Sequence, residues 1–387
     1  MTGSDERIAL SRPAFGVEEE QAAAACIRSG WVTSGPRVAE FEKEFARAVG
    51  CEDAVAVSSG TAALHLALWL LDLAPGDEVI TPSLTWVSVP NLVAILGGKP
   101  VFCDVDPETL NIDLAQAEKL VTPRTRAIVP VHFGGRAVDM EALGAFAKRH
   151  GLEVIEDAAH AIGGMQDGRP IGSHSGLVAF SFHPNKNIST GEGGMLSGTD
   201  AAKLKKARLL RYHGLTRDTN FRQSSTTQLP HYNVVLPGVK YIMTDIAGSI
   251  GLCQLAKLDS LNARRAALAA RYRDNLRSLS NRVWVPSDDE GAGNRHAWHI
   301  FTIRLKDEAD LRDRVMRNLL DRGIGVGLHY LPVHKMDWIV DRGLSSDLPM
   351  TERIGRTILS LPLHPGLTDA QVDIVCDRLG QALAETA

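Results

Sequence analysis

Five cysteines occur in 387 residues, and none sits in a CxxC pair. Cys26, Cys51, Cys103, Cys253 and Cys376 all lie in apolar or helical surroundings. That is the setting of a reduced thiol in or near a core, and it argues against a disulfide framework or a zinc site. No metal is expected. The chain also lacks a charge excess: its net charge is −4 and its pI about 6.4. This gives no reason to expect nucleic acid as a partner, although a local basic patch could still hold a small anion. No apolar run reaches the ~18 residues of a membrane span, and the N-terminus lacks a cationic-then-apolar signal pattern. The expectation is a cytoplasmic protein with no membrane partner. Internal repeats and low-complexity segments are missing as well. What remains is an ordinary globular composition, 44% hydrophobic and 23% charged, long enough for one large domain and a smaller one.

The chain then alternates. Residues 1–12 are polar and expected to be loose. Val17 to Ser29 is alanine-rich and helical by composition, and Val38 to Val49 carries helical spacing through Phe41 and Phe45. Between them Thr33 and Ser34 lie in a turn that either connects the helices or brings hydroxyls into a pocket. Strands are expected at Ala54–Val57, Glu78–Thr81, Pro100–Asp104, Ala127–Val131, before Asp157 and before Lys186. Helices are expected from Ala62 to Leu71, after Trp86, and over Leu114–Val121 and Asp139–Arg149. This spacing predicts an α/β fold, a mostly parallel sheet covered by helices on both faces. Tyr212 to Pro237 is polar and aperiodic, as a functional or disordered loop is. A long helix from about Thr244 to Leu276, straight or with a bend, should lead into a smaller α+β layer. Its elements are strands His296–Leu305 and Ile324–Tyr330, helix Ala309–Arg322, and helices near Thr351 and Ala370. The division is expected at 1–255 and 256–387.

Ligands of such sheets gather beyond the carboxyl ends of the strands. Ser59, Thr61, Trp86, Asp157, His160, Ser181 and Lys186 all fall at or just after a strand end. Ser58-Ser59-Gly60-Thr61 between a strand and a helix can hold a phosphate on first-turn amides up to Ala62, or can simply cap the helix. Trp86 is either core or a flat platform for an aromatic ring. Lys186 follows an apolar strand that stops at Pro184. It is either a solvated loop lysine or one with a partly desolvated amine, the requirement for a Schiff-base lysine. Asp157 ends an apolar strand and is followed by two alanines, so a flat ring nitrogen could approach it. Asp and Lys together are the pair that a pyridoxal phosphate enzyme needs.

Six segments carry a resemblance. They are SSGTAALHLAL from Ser58, GDEVITPSLTWVS from Gly76, EDAAHAIGG from Glu156, FSFHPNKNISTGEGG from Phe180, MTDIAGSIGLCQLAKLD from Met243 and GVGLHYLPVH from Gly325. With them the chain resembles, along nearly its whole length, the DegT/DnrJ/EryC1/StrS sugar aminotransferases, a branch of the fold-type I pyridoxal phosphate enzymes. Within that family it is most similar to the branch of UDP-4-amino-4-deoxy-L-arabinose aminotransferases. The resemblance implies that Lys186 bonds the cofactor's aldehyde and that Asp157 meets the ring nitrogen. It puts Ser59, Gly60, Thr61, Ala62 and Ser181 at the phosphate, Trp86 on the ring and His160 beside the ring hydroxyl. It implies a homodimer with shared active sites, in which Lys240 stands where many members carry an Asn that reaches the partner's phosphate. The reaction it implies moves an amino group from L-glutamate, leaving 2-oxoglutarate, to the C4 keto carbon of a nucleotide-linked sugar. Candidate substrate contacts are Thr33, Ser34, His183, Arg217, Arg222, His231, His329 and Tyr330. Arg, His and Lys side chains of this kind also commonly sit in solvent. The alternatives are a C3-ketosugar or cyclitol aminotransferase, a ketosugar dehydratase, in which a His replaces the Schiff-base lysine, and a regulatory protein that keeps the fold without turnover.

Overall fold

The computed structural model describes residues 7–216, 232–287, 291–306 and 310–386. Its centre is a seven-stranded sheet. In chain order the strands are β1 (Asp53–Val57), β2 (Glu78–Pro82), β3 (Lys99–Cys103), β4 (Thr125–Ile128) and β5 (Glu153–Asp157). A short hairpin, β6 (Met165–Gln166) with β7 (Arg169–Pro170), intervenes before β8 (Leu177–Ser181) and β9 (Gly194–Gly198). The spatial order is β1-β9-β8-β5-β4-β2-β3. Pairings from β8 across to β3 are parallel, and β9 runs antiparallel to both β8 and β1. This is a mixed, mostly parallel sheet. Its strands read as apolar runs because helices cover both faces: β1 buries Ala54 to Val57, and β8 buries Leu177 to Phe180.

The helices start and stop where local chemistry says they should. Asp113, Asp139, Asp200 and Ser59 each accept a first-turn amide of the helix they precede. Each such cap contributes about 1 kcal/mol. The helix Pro36–Val49 has Pro at its first turn and a left-handed Gly50 at its end. Its apolar stripe, Val38, Phe41, Phe45 and Val49, is buried. Phe45 meets Phe180 and Phe182 at ring centroids of 5.1 and 5.6 Å. Buried Glu42 on the same helix takes Arg208 and Arg211 and accepts the Ala56 amide at 2.8 Å. These bonds anchor the helix to β1.

The C-terminal layer has a separate core. A three-stranded sheet, β10 (Val283–Trp284), β11 (Phe301–Leu305) and β12 (Ile358–Leu361), packs under the helices Leu258–Leu276, Leu311–Asp321 and Asp369–Glu385. Several expectations are corrected here. Residues 7–10 are not loose: Ile8 is buried in this C-terminal core, and its amide donates to Gly323 O at 2.9 Å. The long helix is two helices, Asp245–Ala256 and Leu258–Leu276, broken at Lys257. The strand expected from His296 begins only at Phe301. The Ala297 and His299 amides are drawn instead onto the carbonyls of Gly135 and Gly134, both at 2.9 Å. Ile324 to Tyr330 forms no strand; Ile324 bridges to Ile8 and Gly327 to Ser360. The third strand of the layer is β12. The five cysteines are free thiols, three of them buried.

Candidate active site

Three backbones converge at the carboxyl end of the sheet. Ser59 ends the turn after β1 and caps the helix Gly60–Trp69, its Oγ accepting the Ala62 amide at 3.0 Å. A Cβ on Gly60 would lie 2.7 Å from Ser181 Cβ. A Cβ on Gly194 would lie 2.4 Å from the Ser59 carbonyl. Glycine at both positions is what lets the start of the helix sit against the ends of β8 and β9. The amides of Gly60 and Thr61 have no acceptor within their own helix. With the hydroxyls of Thr61, Ser181 and Ser88 they form a cradle of donors at the positive end of a helix dipole. Thr61 Oγ1 and Ser88 Oγ are 3.0 Å apart.

Beside the cradle lies a cavity of about 380 Å³. Asp157, at the end of β5, is buried in its floor, and its Oδ1 accepts the Ala159 amide at 3.0 Å. Burial pushes its carboxyl up; the Ala159 amide and the charge of Lys186 act against that. Lys186 enters from the turn after β8, its amide donating to His183 O at 2.8 Å. Its amine falls to about 8 because burial strips it of water, while Asp157 pulls the other way. Lys186 is thus neither fully solvated nor locked as an ammonium.

His160 closes a further wall. Its Nδ1 accepts the Gly134 amide at 3.3 Å, and its Nε2 lies 2.9 Å from the Tyr330 hydroxyl. An amide can only donate, so Nδ1 carries no proton. Burial holds the ring well below the usual histidine range, so it is neutral. Nε2–H therefore donates to Tyr330 and leaves the phenol proton for a ligand of the cavity. Tyr330 stacks on His160 at 18° between planes, and Trp86 stands 6.3 Å from Tyr330. Trp86 is 62% exposed and lines the cavity, so the core alternative for it fails. His329 also lines the cavity; its Nδ1 lies 2.8 Å from Ser360 Oγ, and burial brings it down to about 4.

The structure brings Ser59, Gly60, Thr61, Trp86, Asp157, His160, Ser181, His183, Lys186, His329 and Tyr330 to one cavity. It leaves others out. Ala62 is buried and its amide is used by Ser59. Thr33 and Ser34 are not on the cavity wall. Their turn is fastened to the helix Asp245–Ala256, where the Asp245 amide donates to Thr33 O and the Asp245 carboxylate takes the Gly35 and Val38 amides. Lys240 is exposed and bridges to Tyr212, away from the cavity of its own chain. Arg217, Arg222 and His231 lie outside the described residues. Sequence reasoning missed Ser88, Asn185 and Glu192 as lining residues. Asn185 and Glu192 stand within the segment around Lys186, and Ser88 is the third hydroxyl after the β2 end. Their position near strand ends was the available signal.

A family model described as the DegT/DnrJ/EryC1/StrS aminotransferase family matches residues 13–380. Among solved structures, the chain is similar to Spr1654 of Streptococcus pneumoniae in its PLP form, at 27% identity and a TM-score of 0.90, covering 98% of this chain and 100% of the other. It is similar to the aminotransferase TlmJ from Streptoalloteichus hindustanus, at 34% identity, TM-score 0.91 and coverage of 98% and 100%. It is also similar to the sugar aminotransferase CalS13 from Micromonospora echinospora, at 30% identity, TM-score 0.87 and coverage of 97% and 99%.

Proposed function

The chain belongs to the DegT/DnrJ/EryC1/StrS aminotransferase family, and from that premise we propose that it moves an amino group from L-glutamate to a keto carbon, C4, of a nucleotide-linked deoxy-ketosugar. It is a pyridoxal phosphate-dependent sugar aminotransferase by family. The residues of the cavity fit that cofactor. The glycine-built cradle of Gly60, Thr61 and Ser181 offers amides and hydroxyls to a phosphate, in a space that a Cβ at Gly60 would fill. Asp157 presents a buried carboxylate for a ring nitrogen, Trp86 an open aromatic face, and Lys186 an amine for the aldehyde. When bound, the cofactor supplies a carrier for the amine and a ring that draws off carbanion charge.

The protein's own groups do the rest. Asp157 holds a proton on the ring nitrogen. Burial lowers the Lys186 amine to about 8, so a freed Nζ would be suited to take the proton from the donor's α-carbon and return it. Tyr330 offers its phenol proton to an anionic oxygen. The observation that carries the reading is the placement of a lysine near neutrality and a buried aspartate in one cavity beside a helix N-terminus. Lys186 stands where the dehydratase alternative requires a histidine, which favours transfer.

The arrangement of the surface near Lys240 supports a homodimer. Val234 and Val235, six and five residues before it in the chain, are 57% and 51% exposed, apolar surface that a second copy would cover. A monomer by light scattering that still turned over would defeat this. Five free thiols agree with a reducing compartment, and we assign the cytoplasm.

The test separates the half-reactions. L-Glutamate added to the loaded protein should shift the cofactor's absorbance to that of its aminated form and release one equivalent of 2-oxoglutarate. A panel of nucleotide-linked 4-keto and 3-keto sugars should then restore the starting spectrum, the 4-keto compounds fastest. Absence of 2-oxoglutarate release would remove glutamate as donor, and faster recovery with 3-keto sugars would move the reacting carbon.

A further inference from the structure

One charged group of the cavity has no part in the chemistry above. Glu192 lines the cavity, is exposed to it, and its carboxylate makes no hydrogen bond or ion pair among the described residues. Its backbone is held on every side. Thr190 Oγ1 donates to Glu192 O at 2.8 Å, and the Gly191 amide donates to Ser189 Oγ at 3.1 Å. The Phe182 amide donates to Gly193 O at 2.9 Å, and the Thr190 amide to Phe182 O at 3.0 Å. Gly191 sits at φ +82°, and a Cβ on Gly193 would fall 2.3 Å from Thr190 Oγ1. The turn is therefore packed into one shape, and it presents Glu192 to the cavity from a rigid base.

The charge that acts on Lys186 is Asp157. Glu192 lines the same cavity as Lys186 and Asp157 but is not among the charges that shift the amine, which leaves its carboxylate available to a ligand of the cavity. We propose that Glu192 is a specificity-determining residue: its carboxylate accepts a hydroxyl of the acceptor sugar and turns away sugars that present a carboxylate there. This rests on the sugar aminotransferase reading above. A carboxylate is an acceptor only, and a hydroxyl bonded to it makes a short, charge-assisted bond. A second carboxylate brought to the same place meets like charge in a partly dry cavity, and rejection of the wrong ligand by such repulsion is a common source of selectivity.

The donor adds a second consequence. L-Glutamate uses the same cavity in the other half-reaction and carries two carboxylates. The charge of Glu192 helps the acceptor and opposes the donor. Removing it should move the two substrates in opposite directions, which neither a purely structural role nor a solvated rim carboxylate would do.

The test uses the loaded enzyme and Glu192→Gln, which keeps shape and an acceptor oxygen but removes the charge. Equilibrium binding is measured by calorimetry with UDP-glucose against UDP-glucuronate, and with the matching dTDP pair; each pair differs only in a CH2OH or a carboxylate at C6. The parent should prefer the neutral sugar by about tenfold or more, and Glu192→Gln should bring the pair within about threefold. In the separate half-reactions, Glu192→Gln should raise KM for the acceptor that restores the spectrum fastest and lower KM for L-glutamate, each by about threefold to tenfold. Unchanged discrimination, or two KM values moving together, would overturn the proposal. Equal binding of both sugars by the parent would also overturn it. If glutamate reacts but no nucleotide sugar binds, the nucleotide-sugar reading itself falls, and this inference with it.

Discussion

Lys186→Met in the cofactor-free protein should stabilise the fold at neutral pH and lose that advantage as pH rises. The Lys186 amine ionises near 8 in the fold, against 10.5 in an open chain. The difference of about 2.5, at about 1.36 kcal/mol for each pKa unit, means that holding the ammonium in the cavity costs at most about 3.4 kcal/mol. The side chain is partly open to the cavity, so solvent trims the measured figure to about 2 kcal/mol. The sign follows from proton counts. Below pH 8 both states carry the proton, and the full penalty is present. Between pH 8 and 10.5 the unfolded chain binds more protons than the fold does, so the parent gains stability as pH rises. At pH 9.5 the upper bound has dropped to about 1.4 kcal/mol. Urea unfolding of both proteins at pH 7 and 9.5 reads this directly. Any packing difference between methionine and lysine does not change with pH. Only a narrowing gap reports the charge. A gap of the same size at both pH values, or none at pH 7, would mean that Lys186 is not desolvated and would remove the physical basis for its role.

Asp157→Asn should leave the thermal midpoint nearly unchanged and lower the glutamate half-reaction rate at least ~100-fold, as removal of a preorganised charge partner does; stopped-flow absorbance measures it, and a loss of only a few-fold would separate Asp157 from the ring nitrogen. Gly60→Ala should drive Ser181 out of the cradle, because its Cβ would stand 2.7 Å from Ser181 Cβ. Overpacking of that size costs about 1–3 kcal/mol, so the dissociation constant for pyridoxal phosphate should rise about tenfold or more by fluorescence titration, and unchanged binding would mean the phosphate lies elsewhere.

The strands of the large sheet were legible because most of their residues are buried and read as apolar runs between turn signals. The site was legible for the same reason. Polar residues that follow such runs, Asp157, Ser181 and Lys186 among them, have the carboxyl end of the sheet as their place. Contacts made across long stretches of sequence were not legible. The hydroxyl turn at Thr33 and Ser34 has the right composition to line a pocket, yet Asp245, 210 residues beyond Gly35, claims its backbone. His296 to Ile300 has strand composition, yet Gly134 and Gly135 take its amides through positive-φ backbone that only their lack of a Cβ makes easy. Ile8 looks like part of a polar tail until the edge at Gly323 and Gly325 gives its amide and carbonyl partners. In each case local pattern described the segment, and a partner remote in sequence decided its conformation.

The relation between Asp157 and Lys186 shows why two opposite charges in one cavity do not cancel. Their attraction lowers the carboxyl and raises the amine. Burial does the reverse to both, and burial is the larger influence on each. A closed ion pair would reverse that order, because the Coulomb attraction grows as the groups approach while the loss of water is already complete. Lys186 would then be fixed as an ammonium, with no lone pair to offer. The structure avoids this by mounting the two groups on different supports, Asp157 at the end of β5 with its Oδ1 on the Ala159 amide, and Lys186 on the turn after β8. Among the described residues neither has a charged partner in contact. A ligand that brings a basic ring nitrogen to one and a carbonyl carbon to the other relieves both penalties at once. The same burial that penalises the two charges therefore favours a ligand with those two groups over one that offers either alone.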